Sequence, residues 1–364
     1  MVNTQALPPI AVLGSSQVEK LNKSRRKMRK FSGILAASAL LASVVFVAPA
    51  AHASETITGS GSSFMNSFQQ VCSALYTTNK ANYNSTGSGT GRTQFAAGTT
   101  DFGGSDSPYT SGAPANFTYV PLVAGGIVVA YNIPGVTNLR LTPQVMNDIF
   151  TGKVKTWDAA SIKKLNPSAK LPKENIQVVY RGDSSGTVEN FSNYMIQNVG
   201  GTWKTSGTWS TAIGQSPVGI SAPQNTGVSA TVAQTKYSIT ITDPADTKKN
   251  KLAVASIRNA LGEFIKPTAA SAGRFMAAQP IDAKGLVQFD YKAKVTGAYP
   301  ITLVAYGLAP TASFATQTKK AAAVKDYFTY LIKTCGPQQA SAGDYVPITG
   351  KLQQAALKAI ATIK

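Results

Sequence analysis

The sequence predicts an α/β protein with mainly parallel sheets. Strands and helices alternate along most of the chain, one strand–Gly/Ser loop–helix unit occurs three times, and 43% of the residues are apolar, enough to build cores. A chain of this length makes one large domain or two of ordinary size.

In the first unit Thr56-Ile57-Thr58 runs through Gly59-Ser60-Gly61-Ser62-Ser63 into Phe64-Met65-Asn66-Ser67-Phe68. In the second, Asn82-Tyr83-Asn84 runs into Ser85-Thr86-Gly87-Ser88-Gly89-Thr90-Gly91. Asp101-Phe102-Gly103-Gly104-Ser105-Asp106 follows, then an apolar strand from Leu122 to Tyr131 broken by Gly125-Gly126. Helical patterns cover Pro143–Phe150, Ala159–Leu165 and Val188–Asn198. The third unit joins the strand Ile176–Tyr180 through Arg181-Gly182-Asp183-Ser184-Ser185-Gly186-Thr187 to the helix at Val188. Residues 199–226, rich in Gly, Ser, Thr and Trp, read as loop. Beyond them come a short helix at Gly227–Gln234, a strand at Ile301–Tyr306, and a helix at Lys319–Lys333 that Gly336-Pro337 is expected to stop.

The first fifty residues set the compartment. Lys20, Lys23, Arg25, Arg26, Lys27, Arg29 and Lys30 precede an uncharged apolar run, Ile34 to Val47, and then Ala51-His52-Ala53, a small-x-small cleavage pattern. Residues 1–53 therefore read as a secretory signal, with the mature chain beginning near Ser54. The competing reading, a membrane anchor, needs roughly 20 apolar residues and finds about 14. Met28, followed by Arg29-Lys30, would open a signal of ordinary length and suggests itself as the true start.

Cleavage would remove those seven basic residues and Glu19 from totals of 35 basic and 16 acidic, leaving 28 against 15, a charge of +13. It would also remove His52, the only histidine. Without histidine there is no Ser–His–Asp or Cys–His mechanism and no His-ligated zinc, so neither a catalytic residue nor a metal or other cofactor is expected. Two cysteines remain, Cys72 and Cys335. Cys72 shares an apolar helical stripe with Phe64, Phe68 and Leu75, consistent with a buried free thiol; a Cys72–Cys335 disulfide in an oxidising compartment is equally open.

A helix N-terminus offers unsatisfied N–H groups and the positive end of the macrodipole, so each repeated unit is a candidate anion seat. Ser63, Ser88, Ser185 and Thr187 add hydroxyl donors, and Arg181 adds a planar fork suited to an oxyanion. Asp183, two residues on, is placed to hold that guanidinium. Any one Gly/Ser stretch alone is explained by a capped turn; three in one chain, the third with an arginine, favour a shared anion site. Asp106 would choose the ligand, because a carboxylate repels an anion unless the anion has a proton to donate, as hydrogen phosphates do and sulfate at neutral pH does not. The plainer role for Asp106 is to cap the turn Ser107-Pro108-Tyr109.

These blocks, with Tyr131-Asn-Ile-Pro-Gly135 and Ile149-Phe-Thr-Gly-Lys-Val-Lys-Thr-Trp-Asp158, occur in an order and spacing that resembles the phosphate-binding protein of the Pst-type phosphate ABC transporter, over nearly all of residues 56–355. The resemblance implies a two-lobed periplasmic-binding-protein-like (type II) fold, two mixed sheets flanked by helices and joined by a strand hinge, that closes on one dehydrated phosphate. It implies residues 54–130 and 303–364 in the first lobe and 131–302 in the second, with hinge strands near Val128–Asn132 and Ile301–Tyr306. It carries phosphate contacts onto Ser63, the Phe64 N–H, Ser88, Asp106, Arg181, Ser185, Gly186 and Thr187, with Asp183 supporting the arginine. It further implies a monomeric, non-enzymatic protein of the periplasm or cell envelope, partnered by inorganic phosphate and by the membrane permease of a phosphate ABC transporter. The chain departs from the family pattern at Tyr237-Ser-Ile-Thr-Ile-Thr242 and the polar Asp243–Lys251, which puts the edge of the second lobe in question. The cysteine pair is a second departure.

Other classes fit less well. Arg181-Gly182-Asp183 is an integrin-type tripeptide, but the anion loop needs the same residues. No Gly-x-x-x-x-Gly-Lys-Ser/Thr is present for a nucleotide, and the basic residues are spread out rather than clustered with aromatics for a nucleic acid. The alternatives carried forward are a secreted phosphatase-like protein and an envelope or adhesive protein that kept the fold.

Overall fold

In the first repeated unit the loop after the strand feeds a helix that carries the chain back to a parallel neighbour, and the same crossover follows the second. The structure, a computed structural model, describes residues 54–311 and 320–364. Strand β1 (Thr56–Gly61) leads through helix α1 (Asn66–Leu75) to β2 (Lys80–Ser85), and β2 through α2 (Ser88–Ala96) to β3 (Phe102–Ser105). β1 pairs in parallel with both β2 and β3. β4 (Phe117–Gly126) completes the N-terminal part of this sheet, and at Ile127 the chain leaves it.

β5 (Val128–Asn132) opens the second sheet, so the apolar run expected as one interrupted strand is two strands in different sheets. The crossing is fixed where the Ile127 N–H donates to Ile301 O at 2.7 Å and the Tyr299 hydroxyl donates to Ile127 O at 2.7 Å. Next come β6 (Arg140–Leu141), α3 (Pro143–Phe150), α4 (Ala160–Leu165), β7 (Gln177–Arg181) and α5 (Gly186–Asn198). Thr142 caps α3 through the Val145 N–H, with Pro143 at the position where a missing N–H does no harm. The remaining elements are α6 (Trp209–Ile213), β8 (Ile220–Ala222), α7 (Gln224–Gln234), β9 (Ser238–Thr242), α8 (Pro244–Lys249), β10 (Ala253–Val254), β11 (Ser256–Arg258), β12 (Phe264–Ile265), α9 (Ala269–Ala277), β13 (Thr302–Pro310), α10 (Ala321–Tyr330) and α11 (Gly350–Ala361).

The strand orders are β2-β1-β3-β13-β4 and β10-β5-β9-β7-β8, with a small sheet β12-β11-β6. Both five-stranded sheets are mixed rather than mainly parallel. β13 returns from far along the chain to run antiparallel between β3 and β4, and β5 runs antiparallel to β9 and β10. In these two sheets every parallel pair includes β1 or β7, strands that enter repeated units.

Three local expectations are corrected, and the question left open at the edge of the second lobe is answered. Residues 199–226 are not all loop: Trp209 is buried within α6 and stacks near Phe191 (centroids 6.3 Å), which orders that stretch. Segment 238–242 is not an edge but lies between β5 and β7 with all five residues buried; Thr242 accommodates its hydroxyl by pairing with Ser229 at 2.7 Å. Gly336-Pro337 does not stop the C-terminal helix, because a π-helical turn, Leu331–Cys335, widens the ladder and a further helical turn, Gly336–Gln339, begins with proline in its first turn. Leu75 is 51% exposed and leaves the stripe, whereas Phe64, Phe68 and Cys72 are buried.

Cys72 and Cys335 form a disulfide across 263 positions, which overturns the free-thiol reading and ties α1 to the π-turn. Residues 1–53, with the leader, Met28 and His52, lie outside the described residues, as does Lys319. Among the described residues no helix is long and apolar enough to cross a membrane, and no group of three or more His, Cys, Asp or Glu is placed to hold a metal.

Candidate functional site

The three repeated units meet between the two five-stranded sheets, around Asp106. This side chain is buried, with 3% of the residue exposed. Ser62 donates to Oδ1, and Ser88 Oγ and Thr187 Oγ1 donate to Oδ2 at 3.4 and 3.3 Å. The carboxylate therefore gathers hydroxyls from all three loops. It does not cap the turn after it; that task falls to Ser105, whose Oγ accepts from the Ser107 N–H at 3.3 Å. Burial pushes the Asp106 carboxyl up from 3.8 to about 6, against the pull of Ser62, the Arg181 charge, Thr187 and Ser88.

Arg181 ends β7, and its side chain is 1% exposed. Nε donates to Asp183 Oδ1 at 2.7 Å and Nη2 to Oδ2 at 2.5 Å, so the acid two residues on does hold the guanidinium. Burial raises the Asp183 carboxyl, but the Arg181 hydrogen bonds and charge, with the Gln224 N–H, bring it below its usual range. Nη1 donates to Asn225 Oδ1 at 2.7 Å. Three of the five guanidinium N–H groups are thus engaged, leaving one on each terminal nitrogen, a fork of the kind that grips two oxygens of one anion.

Ser185 is the N-cap of α5: its Oγ accepts from the Val188 N–H at 3.3 Å, and its own N–H donates to Gly207 O at 3.0 Å. The Glu189 N–H is taken by Ser185 O at 3.1 Å, so the first-turn donors that the helix cannot itself satisfy are those of Gly186 and Thr187. A Cβ on Gly186 would lie 2.6 Å from Ser88 Oγ and 2.7 Å from Asp106 Cβ, which shows how closely the second and third units approach. Gly87, at φ +85°, would strike Asp183 and Ser184. In the first unit the Phe64 N–H donates to Ser62 Oγ at 3.1 Å, and Ser63 Oγ accepts from the Asn225 N–H at 3.1 Å. Ser63, Phe64, Ser88, Asp106, Arg181, Asp183, Ser185, Gly186 and Thr187 therefore share one neighbourhood.

Sequence reasoning missed three groups. Ser62 lies in the first Gly/Ser run, and its proximity to Ser63 was the available signal. Gln224 and Asn225 open α7, a fourth helix start with no glycine-serine signature; Gln224 sits at φ +57° and clasps Ser85 through Nε2 to Ser85 O (2.7 Å) and Ser85 Oγ to Oε1 (2.9 Å). Behind Asp106, Ser107 Oγ donates to Glu189 Oε2 at 2.8 Å, and Arg92 lies 3.7 Å from the same carboxylate. Burial outweighs both in raising the Glu189 carboxyl. No local motif marks the Arg92–Glu189 pair, whose members belong to different repeated units.

Two α/β layers that converge on a buried nest of donors around one carboxylate and one arginine fork define a binding protein for a small oxyanion. Residues 47–334 match the PBP superfamily domain. Phosphate-binding protein PstS of Pasteurella multocida is 36% identical over 316 residues, which cover 82% of this chain and 88% of that relative. PstS of Xylella fastidiosa is 36% identical over 311 residues (81% and 82%), and PstS 3 of Mycobacterium tuberculosis is 34% identical over 303 (78% and 78%). Among solved structures, the fold is similar to a high-affinity periplasmic phosphate-binding protein bound with phosphate, at a TM-score of 0.68 and 23% identity over 82% of this chain and 92% of that one. The chain belongs to the PstS family of phosphate-binding proteins.

Proposed function

We propose that this protein binds inorganic phosphate between its two lobes and delivers it to the membrane permease of a phosphate ABC transporter. The observation that carries the reading is the pairing of one buried carboxylate, Asp106, with the Arg181 fork inside a nest of hydroxyl and N–H donors. The two lobes are built on the two five-stranded sheets, and the chain crosses between them at Ile127 and again at Ile301, close to the expected boundaries at 130/131 and 302/303.

Phosphate oxygens take hydrogen bonds from the Ser63 and Ser88 hydroxyls, the Phe64 N–H, the Arg181 fork, the Ser185 and Thr187 hydroxyls and the Gly186 and Thr187 N–H groups. A bound anion takes over donors otherwise directed at Asp106 and Ser62. Asp183 touches no ligand in this scheme; it holds Arg181 flat. Asp106 accepts a proton that HPO₄²⁻ or H₂PO₄⁻ supplies and sulfate lacks, so sulfate meets an unpaired, repelling acceptor.

The protein is not an enzyme in this reading. What supports this is that the relatives are named phosphate-binding proteins, and that the serine hydroxyls beside Asp106 belong to a nest of donors suited to holding an anion. It acts as a monomer, exported by cleavage near Ser54 to the periplasm or cell envelope. Arg181→Ala should weaken phosphate by several kcal/mol, since it strands a buried anion without its principal partner; an affinity within about threefold of the unmodified protein in calorimetry would place the site elsewhere. Robust p-nitrophenyl phosphate hydrolysis by metal-replete protein, abolished in Ser185→Ala, would favour the phosphatase-like alternative instead.

A further inference from the structure

Asn225 is wholly buried at the first turn of α7, the helix start that carries no glycine-serine loop. Two of its polar groups are already at work in the site. Its backbone N–H donates to Ser63 Oγ across the cleft at 3.1 Å, and its side-chain Oδ1 accepts from Arg181 Nη1 at 2.7 Å. The arginine can only donate, so this bond also fixes which end of the amide is oxygen. The other end, Nδ2, is buried beside the guanidinium and has no hydrogen-bond partner among the described residues. A buried amide N–H₂ without an acceptor is destabilising, and a site tolerates that where an acceptor arrives with the ligand.

We propose that Asn225 is a phosphate-binding residue: Nδ2 donates to an oxygen of the bound anion, while Oδ1 sets the plane of the Arg181 fork. The inference rests on the phosphate reading and adds a fourth wall to the cradle. It gives Asn225 a role opposite to that of Asp106. Asp106 demands a proton from the anion; Asn225 supplies one, and so requires a bare oxygen at its position.

Asn225→Asp separates the two functions of the side chain, because a carboxylate keeps the acceptor for Arg181 and loses the donor for the anion. Calorimetric titration of the unmodified protein and of this variant with inorganic phosphate at pH 6 and pH 8 tests it, with thermal melts to establish folding. At pH 8, where phosphate is mainly the dianion, the variant should bind about 30-fold or more weakly than the unmodified protein. At pH 6 the anion brings a second proton that the new carboxylate can accept, and the deficit should shrink to about fivefold or less. Equal affinity of the two proteins, or a deficit independent of pH, would overturn the assignment and leave Asn225 as a positioning residue for Arg181. A crystal structure of the unmodified protein with phosphate gives an answer that no misfolded variant can confuse. Nδ2 within about 3.2 Å of a phosphate oxygen supports the inference; Nδ2 bonded only to water or to protein overturns it. If the unmodified protein binds no phosphate at either pH, the phosphate reading itself fails, which is a different result from phosphate bound equally well by the unmodified protein and by Asn225→Asp.

Discussion

At the residue scale the chemistry turns on Asp106. Burial penalises its charge more than its donors favour it, and so raises the carboxyl from its ordinary 3.8 to about 6. An acid raised in this way contributes stability that is complete below about pH 4 and lost as pH rises through about 6. The gap corresponds to about 3 kcal/mol. Denaturant titration of ligand-free protein should therefore show the unmodified protein losing about that much relative to Asp106→Asn between pH 4 and pH 7; parallel pH profiles would mean that Asp106 is ionised at no cost. The same substitution should reduce discrimination against sulfate in competition binding, since an amide no longer repels an unprotonated anion, while arsenate, with the same protons as phosphate, competes in both proteins. Much of this candidate site was legible in the sequence because its residues sit in contiguous loops with a helix start behind each. Ser62 and Asn225 were not, for different reasons. Ser62 was one hydroxyl among several in its loop, and only the fold shows it aimed at Asp106. Asn225 enters from a helix start that lacks the repeated pattern, 162 positions from the Ser63 it meets.

At the scale of elements, closure depends on how near α5 and α2 approach. Gly186 opens α5 at a backbone angle outside the left-handed region, so Gly186→Ala is tolerated by its own backbone but places a methyl against Ser88 and Asp106. Phosphate affinity should fall by about ten- to a hundredfold, and the melting temperature of the ligand-free protein should fall as well, because the methyl displaces Ser88 and the Asp106 loop. Unchanged affinity would show that the ligand-bound cleft is wider than the one described. The disulfide is a second element-scale feature: Cys72 anchors α1 to the π-turn at Cys335. Replacing both cysteines by alanine should cost about 2–5 kcal/mol in denaturant unfolding and leave phosphate affinity intact, because the bridge joins α1 to the π-turn and touches none of the site residues. The sequence left this pairing open, since geometry rather than spacing decides it. It also misplaced the C-terminal helix stop, because Gly-Pro ends a helix only where the ladder cannot widen, and here a π-turn precedes it.

At the scale of the molecule, the alternation of strand and helix pointed to the α/β class, but the mixed sheets follow from one long-range event. β13 returns after the whole second sheet and inserts antiparallel between β3 and β4. No local pattern encodes that insertion, and it is what makes two linked layers rather than one continuous parallel sheet. The crossing at Ile127 and Ile301 then leaves the Asp106 loop on one layer and the Arg181 loop on the other, so an anion held by both, as proposed, would be enclosed between them. In the proposed reading, Asp106 on one lobe and Arg181 on the other would couple recognition to closure: an anion that cannot satisfy Asp106 would not complete the closed site. The excess of basic residues, 35 against 16 over the whole chain, favours the approach of anions at low ionic strength without choosing among them. In the proposed reading the choice is made in the cleft. Calorimetric titration of the purified protein with phosphate and with sulfate at pH 8 tests this most directly: one phosphate per chain with strong binding and no measurable sulfate binding is the predicted result, whereas no phosphate binding, or sulfate bound as tightly as phosphate, would contradict it.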